Sequence, residues 1–229
     1  MRSIHIIIKP RRDTDVTDEE LFALIRESYG VWLEHGLVSE WHDFTPEDFE
    51  KFRRFAQKAS IFVALDAETG ELLGTHSLMA YRKTGVVNGS ALAVSPKAQH
   101  IGIATRLLEF EVERAKRAGY RCFKGRTGVE ATWSVNWHLK NGYRIVGYKH
   151  LEKENYPSYE FRKQLVPSPL WDNAFFCRCV YLASYVVTKL TKDSNGNLNL
   201  MGRMVKGVVH KCKRQHSHRD RRTVRNASY

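Results

Sequence analysis

Ala91-Leu-Ala-Val-Ser-Pro-Lys-Ala-Gln-His-Ile-Gly-Ile-Ala-Thr105 decides how this chain is read. Leu92 to Ser95 alternate apolar and small residues, as the end of a strand does, and Pro96 cannot extend the ladder. Lys97 to Gly102 are turn material. Helical spacing then takes over: Ala104, Leu107, Leu108, Val112 and Ala115 make an apolar face. Arg106, Glu109, Glu113, Arg114 and Arg117 make a wet one, and Gly119 closes the run. A strand that feeds a tight turn into a helix start leaves free N–H groups pointing outward at the positive end of the helix dipole. That is an anion site. Gly102 lets a ligand approach the backbone, Ala104 keeps the next close position small, and Gln99 adds neutral amide donors. Taken alone, these residues suit an ordinary strand-to-helix turn equally well.

Working outward, Ile4 to Ile8 suit a first strand, being too short for a signal peptide. Thr17 with Glu20, and Thr45 with Asp48 behind Pro46, are helix N-cap signatures. Leu21, Leu24 and Ile25 face one way on the first helix; Phe49, Phe52, Phe55 and Ala56 do so on the second and read as core. The connection between them, Tyr29 to Phe44, is dense in Tyr, Trp, His and carboxylate. It reads either as a substrate wall or as an aromatic plug. Ile61–Leu65, Leu72–Tyr81 and Val86–Val94 form a three-stranded meander. Past the long helix come a strand at Cys122–Arg126, a helix at Val129–Asn141 stopped by Gly142, and strands at Tyr143–Leu151 and Tyr159–Leu165.

The element order, with Leu92-Ala-Val-Ser-Pro96, Gln99-His-Ile-Gly-Ile-Ala104 and Trp137-His-Leu-Lys-Asn-Gly-Tyr143, resembles the GNAT superfamily of acetyl-coenzyme A dependent N-acetyltransferases. The likeness covers residues 1–165. It implies an α+β fold: a mixed, mostly antiparallel sheet of six or seven strands, flanked by helices. It also implies acetyl-coenzyme A as cosubstrate and no metal. The backbone of Leu92, Ala93 and Val94 would align the pantetheine arm, and Gln99, His100, Ile101, Gly102, Ile103, Ala104 and Thr105 would hold the pyrophosphate. Where the family commonly has a tyrosine that protonates the departing sulfur, this chain has His138, and where it often has an asparagine near the pantetheine, this chain has Thr132. Both are departures. An imidazole can donate a proton near neutrality, although a lone histidine on a helix is more often structural.

Acetyl transfer to an amine needs a positioned thioester, an uncharged amine and a protonated leaving thiolate. Val86 to Val94 contain no carboxylate to serve as base. Glu130, His76, Glu40 and His42 are the candidates, and relay through water needs none of them. Trp32 and Trp41, with Glu40 and His76, are expected at the acceptor, a small-molecule or sugar-type amine. A protein-lysine acetyltransferase and an acyl-coenzyme A sensor without turnover remain alternatives.

The chain has 229 residues and a net charge of +12. From Leu165 onward there are twelve Lys/Arg against three Asp/Glu, so any argument about anionic partners belongs to this tail. Residues 166–229 are expected as a separate basic extension of one or two amphipathic helices and a loose end. Three arrangements compete: packing on the body or on a homodimer mate, a basic amphipathic hairpin on an anionic membrane, and nucleic-acid contact, which no reader motif supports. Arg178 and Asp172 argue against a bilayer span. Four cysteines without a secretory signal suggest reduced thiols and a cytoplasmic protein, peripheral at the inner membrane face in the second arrangement. Cys177-Arg-Cys179 with Cys212 and His210, His216 or His218 is too scattered for a zinc knuckle.

Overall fold

The computed structural model describes residues 5–38, 44–152 and 154–206. Seven strands make one sheet: β1 Ile6–Pro10, β2 Ser60–Asp66, β3 Leu72–Tyr81, β4 Val86–Val94, β5 Cys122–Gly128, β6 Arg144–His150 and β7 Pro157–Gln164. Their order is β1-β2-β3-β4-β5-β7-β6, antiparallel throughout except where β4 lies parallel to β5. This is the GNAT-like mixed sheet that the sequence predicts.

The parallel pair is short. Val86, Val87 and Asn88 meet Cys122, Phe123 and Lys124, and the ladder ends there. Beyond that point β4 stays with β3 up to Val94, while β5 stays with β7 up to Gly128. The two central strands therefore part. A bulge drives the divergence. Thr75 pairs with Ala93 and Ser77 with Ser90, so Ala91 and Leu92 together oppose His76, and Ala91 takes φ +50°. An extra residue on one strand bends it and raises its twist.

Helices α1 Asp18–Ser28, α2 Gly30–Glu34 and α3 Pro46–Ala56 lie on one side. Leu21, Leu24, Ile25 and Phe52 pack there on Ile61, Val63, Leu65 and Ala93. On the other side α4 Ile103–Arg117 presses Ile103, Leu107, Leu108 and Val112 on Leu73, Leu78, Phe123 and Phe161. Both predicted capping boxes form, at Thr17 with Glu20 and at Thr45 with Asp48. Helix α5, Thr132–Lys140, starts later than the predicted Val129. Pairing of Thr127 and Gly128 with β7 holds those residues extended, and Ala131 N–H bonds back to the Gly128 carbonyl before the helix begins. The predicted connection after Tyr29 contains the short α2, which the aromatic density had masked.

Helix α6, Ala174–Thr191, covers the outer strand β6. Ser184 Oγ accepts from Tyr148 N–H at 2.9 Å, and Ser184 and Thr188 hydroxyls both donate to the Tyr148 carbonyl at 2.8 and 3.0 Å. An otherwise open sheet edge is thus closed by side chains. A turn at Asp193–Asn197 follows, closed by Asp193 Oδ1 accepting from the N–H groups of Asn195 and Asn197.

Candidate active site

The turn between β4 and α4 is built from main chain. Ala98 N–H bonds to the Ser95 carbonyl at 2.8 Å, and the next such bond is Arg106 N–H to Gly102 at 3.0 Å. Among the described residues, the N–H groups of Gln99 to Thr105 have no partner. His100 (φ +65°) and Gly102 (φ +87°) take left-handed conformations, the backbone geometry from which anion-binding nests of amides are made. Nothing lies within 4 Å of where a Cβ on Gly102 would sit. The helix start is also anchored from behind. Ile103 is buried against Gly74, whose missing Cβ would lie 2.8 Å from the isoleucine, and Thr105 Oγ1 accepts from Trp137 Nε1 at 3.3 Å. Donors, curvature and open space fit a diphosphate. Gln99, His100 and Ile101 are exposed at its rim.

On β4, Ala93 is buried toward α1, while Leu92 and Val94 pack on the α4 side. Val94 N–H turns away from β3 and donates to Ser28 Oγ of α1 at 3.3 Å. The amide edge of the parted strand thus faces the gap and α1. Asn88, the last β4 residue paired with β5, has a buried Oδ1 without a partner among the described residues.

Just past the last β4–β5 pair, each strand carries a glycine with an imidazole against it. His76 Nε2 lies 2.7 Å from where a Cβ on Gly89 would be, and His138 Nε2 lies 3.1 Å from that position on Gly125. His76 is buried, and its Nδ1 is 2.7 Å from Oε2 of the fully buried Glu111. In the neutral tautomer that carries its proton on Nδ1, toward the carboxylate, Nε2 would present a lone pair. His138 Nδ1 bonds the Ser134 carbonyl at 2.8 Å, and its ring stacks on Phe161 at 4.4 Å. Burial pulls its pKa down to about 4, with nearby His76 acting in the same direction. At neutral pH His138 is an uncharged acceptor, a geometry that disfavours the acid role expected of it.

The far end of the gap is aromatic. Trp32 lies edge-on to Trp133 at 5.8 Å and near Tyr29 and Tyr156, in a cluster with Leu37 and Ala131. Arg126 grips Glu154 through two bonds of 2.7 and 3.2 Å, Ser158 adds a third, and burial with Glu154 nearby pushes Tyr29 up to about 12. Asn155 ties the β6–β7 connection to the α2 segment by accepting from Val38 N–H and donating to the Gly36 carbonyl. Glu130 and Thr132 are exposed at the start of α5. Glu40, Trp41 and His42 lie outside the described residues.

Three residues here were missed from sequence: Glu111, Arg126 and Glu154. Glu111 did leave a signal, a carboxylate in the apolar stripe between Leu107 and Ala115. Glu154 left none, because a loop carboxylate looks solvated until tertiary contacts bury it. Cys177 is buried, with Sγ 3.4 Å from the Trp171 carbonyl, while Cys179 is exposed, so the pair does not converge. An open groove of about 830 Å³ also lies between α1 and α3, on the side of α1 facing away from the sheet.

The model of the acetyltransferase (GNAT) family matches residues 19–143, more than half the chain. The chain belongs to the GNAT acetyltransferase family. As a GNAT protein it is an acyltransferase, and solved structures share its fold. An aminoglycoside 6'-N-acetyltransferase complexed with coenzyme A is 18% identical with a TM-score of 0.54, covering 71% of this chain and 99% of that one. A GNAT family acetyltransferase from Elizabethkingia anophelis with acetyl-CoA bound is 17% identical with a TM-score of 0.51, covering 69% and 97%. The ribosomal-protein-S18-alanine N-acetyltransferase from Escherichia coli is 11% identical with a TM-score of 0.53, covering 72% and 96%. At these identities the likeness is one of fold. No curated protein is similar enough in sequence to count as a match.

Proposed function

We propose that this GNAT protein moves an acetyl group from acetyl-coenzyme A to the primary amine of a small-molecule or sugar-type acceptor by direct attack. The observation that carries the reading is the run of unpartnered amides from Gln99 to Thr105, placed where the parting of β4 and β5 opens. The family and fold support it, as do two neighbours solved with coenzyme A or acetyl-CoA bound. When bound, the cosubstrate supplies an activated thioester. The amides hold its diphosphate, and Leu92, Ala93 and Val94 line its pantetheine arm.

In this reading His76, its tautomer set by Glu111, accepts the first proton of the incoming ammonium through water. The second proton on the nitrogen goes to the departing sulfur, so no separate acid is required. His138 orders the gap as a neutral ring against Gly125. Glu130, exposed beside the aromatic cluster, meets the acceptor rather than the thioester. The half-buried faces of Trp32 and Trp133 suit the apolar face of a sugar.

Calorimetric titration with coenzyme A, followed by thiol release over a panel of amino sugars, polyamines and lysine peptides, tests the reading. Turnover with an amino sugar and none with the peptides is expected. Turnover confined to lysine peptides would make it a protein acetyltransferase. Binding without any turnover would make it a sensor.

A further inference from the structure

Helix α6 has two apolar faces. One packs on β6: Cys177 is buried, and Tyr181 and Tyr185 meet Tyr159 and Tyr148. The opposite face carries Phe175, Leu182, Val186, Val187 and Leu190, each half or more exposed (76, 50, 51, 57 and 52%). The chain then turns, and a further helical stretch, residues 200–206, exposes Leu200 (77%) and Met204 (65%). A helix on the surface of a soluble monomer keeps its outer face polar, so one that is apolar on both faces has something over it.

Charge says what. Between Asn173 and Lys206 the sole acidic residue is Asp193, against Arg178, Lys189, Lys192, Arg203 and Lys206. Residues 207–229 add seven Lys/Arg and one Asp. A second copy is a poor occupant, because a two-fold contact would set this cationic surface against itself. No helix of the described residues is long and apolar enough to cross a membrane, which leaves an orientation along a surface. We propose that the outer face of α6 and the stretch from Leu200 lie on an anionic bilayer. The apolar side chains sit at the boundary between headgroups and acyl chains, and the basic residues sit among the lipid phosphates.

The test is flotation of the full chain with vesicles of phosphatidylcholine alone or mixed with phosphatidylglycerol, at low and high salt. Flotation is expected with the anionic vesicles at low salt, falling as salt screens the charges. Leu182→Glu with Val186→Glu should abolish it, while coenzyme A binding and the far-ultraviolet circular dichroism stay as in the parent. Arg203→Ser and Lys206→Ser should each weaken binding about fivefold. Failure to float at low salt overturns the proposal. So does a dimer by light scattering that Leu182→Glu dissociates, or retention on nucleic acid without flotation.

Discussion

His138 shows how one side chain can be located from sequence while its charge state depends on what surrounds it. Its distance from Gly142-Tyr143 was readable, and so was its chemistry as an isolated imidazole. Its surroundings in space, Phe161 against the ring and the Ser134 carbonyl on Nδ1, were not, and they keep it neutral. Because its folded pKa of about 4 lies below the ordinary 6.5, the unfolded chain binds the extra proton between those values. Stability is therefore lost as pH falls from about 6.5 toward 4, by at most about 3 kcal/mol from this group. His138→Phe should flatten that part of the profile relative to the parent, read as urea midpoints at pH 7 and in mild acid; an unchanged difference would contradict a neutral buried ring. The neighbouring pair makes a separate case. A Cβ at Gly89 would sit 2.7 Å from His76 Nε2, so Gly89→Ala should cost about 1–3 kcal/mol. Most of that should return in the double variant with His76→Ala, since the two share one space. Additive losses in urea unfolding would show that the ring does not press on the strand.

At the scale of elements, the start of α4 carries the proposed cofactor site, and Gly102 separates its structural role from its ligand role. Gly102→Ala meets no atom within 4 Å, so the left-handed φ of +87° is the sole strain, about 1 kcal/mol. Coenzyme A affinity should fall tenfold or more, because the new methyl enters the space that the diphosphate fills. Calorimetry alongside thermal unfolding reads both; a loss of affinity no larger than the loss of stability would argue against ligand contact at this glycine. Helix caps were legible because they are local: Thr17 and Thr45 need only a partner three residues on. The start of α5 was not. The pairing of Thr127 and Gly128 with residues on β7, some thirty positions away, decides it.

For the whole molecule, α6 belongs structurally to the sheet that it follows. Tyr148, Tyr159, Tyr181 and Tyr185 interlock across the junction, Arg162 lies 4.2 Å over the ring of Trp171, and Ser184 and Thr188 bond the Tyr148 backbone. Ending the chain after Leu165 should uncover the β6 edge, lower the unfolding temperature by several degrees and promote aggregation. A truncated chain that stays monomeric and melts with the parent would show the extension to be independent of the body.

The sequence by itself determined the order of the strands and longer helices, the two capped helices, the glycine turn at the head of α4 and the basic tail. Each of these rests on neighbours a few residues apart or on plain composition. Tertiary structure alone decided where β4 leaves β5, which imidazoles meet at that parting, that burial lowers the pKa of His138, and that Glu111 and Glu154 are buried. These depend on desolvation and on contacts between segments far apart in the chain, so they arise only when the chain closes on itself.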